Sequence, residues 1–125
     1  MPADFELSAR CVRVPVTDGH LVALHVKPRH PISPEDVVAL LSAWDPGPAL
    51  PSSPRPTLVH RAGRDRPQPR LDRDTGGGMA VTFGRVERCR VFGLKWFALA
   101  HNTVRGAAGA AIQNAELLVS SGRLS

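Results

Sequence analysis

Apolar and polar positions alternate over residues 8–16, where Val12, Val14 and Val16 share one parity and Arg13 and Pro15 the other. A period of two predicts a strand, and Pro15, lacking an N–H, confines it to a strand end or a sheet edge. Thr17-Asp18-Gly19 is a turn by composition. Residues 20–27, HLVALHVK, predict a second strand. The two together predict a hairpin with a short loop. The pattern then changes: Val37, Leu40, Leu41 and Trp44 recur at helical spacing and give one apolar face. Ser33 as N-cap, Pro34 at the first helical position and Glu35-Asp36 in the first turn start this helix. Asp45-Pro46-Gly47 ends it.

Residues 45–78 carry no period and are rich in Pro, Arg and Gly; only Thr57-Leu58-Val59-His60 resembles a strand. A loop this long in a compact domain is functional or covered by a partner. Charges of alternating sign over residues 64–74 predict that it is ordered by ion pairs. Residues 79–86 (MAVTFGRV) and 91–100 (VFGLKWFALA) predict two further strands, the second apolar almost throughout and therefore central. A helix over residues 104–119 follows, capped by Asn102 or Thr103, with Val104, Ala108, Ala111, Ile112, Ala115 and Val119 forming a face of small side chains. Gly106 and Gly109 each cost it about 1 kcal/mol relative to alanine, which implies close approach of another backbone or of a ligand. Gly122 stands at the helix stop. No internal repeat is visible. The fold class expected is α+β, an antiparallel or mixed sheet with two main helices.

Composition narrows the classes. A chain of 125 residues holds one core, and 42% hydrophobic with 22% charged residues is a globular balance. No apolar run approaches the ~18 residues of a membrane span. The start MPADFELSAR has no apolar core of a signal peptide, so a cytoplasmic location is expected. The net charge is +5, and fourteen of the sixteen cations are Arg. That balance raises the question of a polyanion partner. With no Tyr, four Phe, two Trp and no basic cluster interleaved with aromatics, no nucleic acid is expected. Cys11 and Cys89 share no metal or redox spacing, and no disulfide is expected.

Few residues carry chemistry. His20 follows a turn and opens a strand, where a side chain is held rigidly at a rim. In the expected hairpin Arg13 converges on the same pocket. An Arg fork suits a carboxylate, and His carries protons near neutral pH. The plain alternative is a surface His and a solvated Arg. His20, His25 and His30 are spaced by five; on a strand an odd spacing sends them to opposite faces, which argues against a metal site. Cys11 reads as a small core hydrophobe with nothing beside it to activate a thiolate, and Cys89 as an incidental residue of a polar turn. Thr75-Gly76-Gly77-Gly78 could form an anion nest, but it precedes a strand rather than a helix and reads as a turn. Asn102 with Gly106 and Gly109 reads as a ligand-facing helix start.

Three segments together carry a resemblance. CVRVPVTDGH (residues 11–20), DRPQPRLDRDTGGGMAVTFGRV (65–86) and HNTVRGAAGAAIQNAELL (101–118) resemble the C-terminal half of the aspartate-semialdehyde dehydrogenases. The likeness is to the branch of archaea and fungi, which includes the similar malonyl-CoA reductases, and it runs from about residue 8 to residue 122. It implies a single substrate and dimerisation domain over residues 1–125, with a long ordered loop over 45–78 and no nucleotide-binding domain. In that family NADPH reduces aspartyl phosphate to the semialdehyde through a cysteine thioester. Carried over by motif, Arg13 grips the substrate carboxylate and His20 is the catalytic acid/base. The resemblance likewise implies that Asn102 matches the asparagine near the nicotinamide carboxamide and that Gly106 belongs to the helix lying against the cofactor domain.

The glycine-rich nucleotide fingerprint, the Asn-Cys segment with the catalytic thiol and the phosphate-binding basic residues have no counterpart in the chain. Cys11 belongs to the strand motif and does not replace the nucleophile; covalent catalysis needs a thiolate and a base within reach. The expectation is a truncated or split dehydrogenase-like protein, not a competent dehydrogenase alone, binding NADP only when assembled with a nucleotide-binding partner. It would form a homodimer or a complex with a chain carrying that half, and would bind a small carboxylate-bearing ligand but no membrane. The alternatives are a stand-alone dimerisation or small-carboxylate-binding module, or a repurposed small enzyme using His20 and Arg13 without NADP.

Overall fold

The most apolar run of the chain becomes the middle of the sheet. In the computed structural model, which describes residues 4–124, the strands are β1 (His20–Val26), β2 (Leu58–Arg61), β3 (Val81–Cys89) and β4 (Gly93–Ala100). Their order is β1-β4-β3-β2. β4 pairs antiparallel with both neighbours, and β2 joins β3 in parallel, so the sheet is mixed. Leu94 and Leu99 of β4 and Phe83 of β3 are buried, the core that the expected central strand requires. The β3–β4 turn occupies residues 90–92, so β4 begins two residues later than its hydrophobicity suggests, at Gly93 with φ +100. Met79 and Ala80 are buried but precede β3.

The expected N-terminal hairpin does not form. β1 is present, but its partner is β4, in register from His20 opposite Ala100 to Val26 opposite Leu94. Residues 8–16 form no strand. The N–H of Val16 donates to the carbonyl of Val14 at 2.9 Å, a tight turn about Pro15 that ends the extended run. Val12, Val14 and Val16 consequently stay exposed. A proline without an N–H cannot bridge two strands, whereas β4 offers a full-length apolar edge.

Helix α1 (Pro34–Ser42) starts as its sequence dictates: Ser33 Oγ accepts the Asp36 N–H at 3.0 Å and donates to the Asp36 carboxylate at 2.6 Å. Of its expected apolar face, Val37 is buried and Leu41 half-buried, while Leu40 and Trp44 face solvent, Trp44 beyond the last helical residue. The long loop is ordered about one carboxylate. Asp72 ends α2 (Pro69–Asp72), a single turn, and is 1% exposed. It accepts from the Arg66 guanidinium and from the Gln68 N–H at 2.8 Å. Arg61 Nε stands 3.0 Å away but misaligned, pairing by charge alone. The loop crosses the sheet where Gly84 leaves room: a Cβ there would lie 2.5 Å from the Arg61 carbonyl and 2.9 Å from that of Arg66.

After β4 the chain makes a π-helical turn (Val104–Ala108) that continues as α3 (Gly109–Ser120). Thr103 takes the N-cap position, as expected, but without a side-chain cap bond; the Val104 N–H goes instead to His101 Nδ1 at 3.3 Å. The helix docks by its polar side. Glu116 accepts from the Ser52 N–H at 3.0 Å and its hydroxyl at 2.7 Å, and Gln113 donates to Ser53 Oγ at 2.9 Å. On the opposite face, Ala108, Ala111, Ile112, Ala115 and Val119 are all exposed.

Candidate functional site

The sheet and the π-helical turn enclose a cavity of about 370 Å³ at the His20 end of β1. Its floor follows from register. Val22 pairs with Ala98 and His20 with Ala100, so these side chains share one sheet face, joined by Val81 of β3. Small apolar groups therefore form the bottom, and the polar groups stand at the rim: His20, His101, Asn102 and Arg105, with Gly106.

The two histidines differ in freedom. His101 is buried; its Nδ1 accepts from Val104 and meets Thr103 Oγ1 at 3.2 Å, and its Nε2 stands 3.6 Å from the Asp74 carboxylate. A ring that accepts a backbone N–H at Nδ1 carries its proton at Nε2, which faces the Asp74 carboxylate from just beyond hydrogen-bond distance. His20 is exposed at the cavity mouth, and its ring has no hydrogen-bond partner among the described residues. Of the pair, it is the one exposed toward a molecule entering the cavity. The Asn102 Oδ1 accepts the Gly19 N–H at 2.8 Å, leaving its NH2 as the donor available to a ligand. Arg105 donates to Gln113 Oε1 at 2.8 Å, which ties its guanidinium to the helix.

Of the residues singled out in the sequence, His20, Asn102 and Gly106 come together here. Arg13 does not: it lies exposed in the strandless segment and does not line the cavity. Gly109 is explained by packing, since a Cβ would run into the Met79 sulfur and stand 3.0 Å from the Val104 carbonyl. Around Gly106 the nearest atom to such a Cβ is 3.8 Å away, so packing does not require a glycine at this cavity-lining position. The sequence reading missed His101 and Arg105; the block that contains them was the available signal.

Neither thiol is near. Cys11 is exposed in the N-terminal segment. Cys89 pairs with Gly93 at the other end of the sheet. The Phe92 and Val91 N–H groups hold its thiol below the ordinary value, against the opposing effect of burial. No group of three or more His, Cys, Asp or Glu suited to a metal occurs among the described residues.

The chain is thus a small α+β domain with an imidazole and an amide at the rim of an apolar cavity. A family model described as "Semialdehyde dehydrogenase, dimerisation domain" matches residues 2–105, and the chain belongs to that family. Its curated relatives include the aspartate-semialdehyde dehydrogenase of Archaeoglobus fulgidus, 50% identical over 94% of this chain and 34% of that protein. That of Schizosaccharomyces pombe is 42% identical over 95% of this chain and 35% of the other. Among solved structures, the Candida albicans aspartate semialdehyde dehydrogenase with NADP superposes with a TM-score of 0.76 at 39% identity, covering 90% of this chain and 33% of that one. The chain thus spans about a third of the length of the relatives it matches.

Proposed function

We propose that this chain supplies the acid/base and carboxylate-binding part of an NADP-dependent oxidoreductase site that interconverts an acyl phosphate and a semialdehyde. The observation that carries this reading is the cavity, where an imidazole with no hydrogen-bond partner among the described residues stands beside an amide NH2 over an apolar floor. His20 holds the proton exchanged around the reacting carbonyl and thioester. Asn102, through its NH2, and Gly106, through the space it leaves, lie beside the nicotinamide carboxamide. The cofactor, when bound, would donate hydride in the reductive direction and accept it in the oxidative one. Arg13 grips the substrate carboxylate, which requires its segment to pack toward the cavity in the assembled site.

The thiol and the dinucleotide-binding surface come from outside these 125 residues. The distance of Cys89 along the sheet and the exposure of Cys11 support this, as does α3, whose apolar face is free to receive a nucleotide-binding unit. The assembly is a homodimer through this domain, in the cytoplasm. No helix among the described residues is long and apolar enough to cross a membrane. The exposed valines of the N-terminal segment equally favour a second reading, a stand-alone module that dimerises and binds a small carboxylate.

A chimera separates the two. This chain replaces the corresponding third of the Archaeoglobus fulgidus enzyme, and NADP- and phosphate-dependent oxidation of aspartate semialdehyde is followed. Turnover is expected in the chimera but not in the isolated chain, and His20→Ala should lower the chimera's kcat by about 10²-fold or more. A folded chimera without turnover, or one indifferent to His20→Ala, favours the binding module.

A further inference from the structure

Asn102 stands at the exposed rim of the cavity, yet its side-chain carbonyl turns inward to the Gly19 N–H, 83 residues away in sequence. The neighbouring Thr103 hydroxyl lies 3.4 Å from the Asp18 carboxylate. Two consecutive residues after β4 thus hold two consecutive residues before β1. The β1–β4 ladder has its last rung at His20 opposite Ala100. Just beyond it the Gly19 N–H is taken by the Asn102 side-chain carbonyl. The turn it holds has little freedom: Gly19 has φ +114, and a Cβ there would stand 2.9 Å from Pro69 Cβ and 3.3 Å from Leu99 Cδ1. The next residue is His20.

We infer that Asn102 is a positioning residue for His20: its Oδ1 clamps the Asp18-Gly19 turn and fixes where β1 presents the imidazole. The inference rests on the reading of His20 as the proton carrier, and it adds a constraint to that reading. One end of the Asn102 amide is committed to the protein, so toward a ligand the residue acts only as a donor.

The test uses the isolated 125-residue chain, in which amide exchange and residual dipolar couplings of Gly19 and His20 are measured by NMR. Asn102→Ala is expected to speed Gly19 exchange by about tenfold and to change both couplings. Asn102→Asp keeps an acceptor for the same N–H and should restore both to within about twofold of the original values. Unchanged Gly19 and His20 in folded Asn102→Ala would overturn the clamp. So would a failure of Asn102→Asp to restore them, or an Asn102→Ala chain that does not fold, since the residue would then hold the domain rather than the turn. Independence of the chimera from His20, with the NMR result intact, would leave a clamp with nothing catalytic to position. That outcome counts against the functional reading and is distinct from the other three.

Discussion

At the scale of single residues, the molecule separates charges that organise the fold from groups left free for chemistry. Asp72 belongs to the first kind. The Arg66 guanidinium, more than any other partner, holds its carboxyl below the ordinary carboxylate range; the Gln68 N–H and the charge of Arg61 add to this, and burial opposes it. A lowered folded-state value gives stability that is complete above the unfolded value of about 4 and is lost as pH falls through the folded one. Thermal unfolding followed from pH 7 to pH 2 should therefore show a loss of stability beginning below about pH 4, and Asp72→Asn should flatten it. The same substitution removes the anion between two partly exposed guanidiniums and should cost about 1–2 kcal/mol in denaturant unfolding, mainly through weakened charge-assisted hydrogen bonds. The alternating signs of residues 64–74 were enough to foresee an ordered loop. They could not single out Asp72 among its neighbours, because burial depends on the sheet passing underneath. In the same way, the sequence marked His20 but not His101, whose role depends on a backbone N–H three residues on and a carboxylate 27 positions earlier.

At the scale of elements, α3 carries the main surprise. Its small apolar face was legible from spacing, and such a face ordinarily points to the core. Here Gln113 and Glu116 point inward to Ser53 and Ser52, and the apolar stripe points outward. Only the contacts of the helix reveal this, since periodicity defines a stripe and not what lies against it. The two glycines divide accordingly. Gly109→Ala should lower stability by about 1–3 kcal/mol through collision with Met79 and the Val104 carbonyl. Gly106→Ala should leave the melting temperature unchanged or higher and, in the chimera, weaken NADP binding by filling the cavity edge. Equal destabilisation by both would make Gly106 a packing residue. The N-terminal strand failed for a related reason: alternation in residues 8–16 records a face awaiting cover, and the turn about Pro15 keeps it from pairing here.

At the scale of the whole molecule, exposed apolar groups cluster on α3 and on the N-terminal segment, where Val12, Val14, Val16, Ile112 and Val119 stand open. Surfaces of this kind mark interaction sites, in keeping with a dimerisation domain. Light scattering across micromolar concentrations should show the isolated chain at twice its monomer mass, and a strict monomer would count against a homodimer held by these residues alone. The sequence by itself determined most elements, the central place of β4, the cap of α1 and the block that joins β4 to the last helix, because these depend on local periodicity, capping and hydrophobicity. It also carried the family resemblance, because motifs are local as well. Tertiary structure alone decided that β1 pairs with β4, that α3 turns its apolar side outward, that His101 holds the Val104 N–H while His20 is exposed at the cavity mouth, and that Asn102 holds Gly19. Each of these depends on contacts between residues far apart in the chain, and a linear pattern records which residues need partners without recording which partners they find.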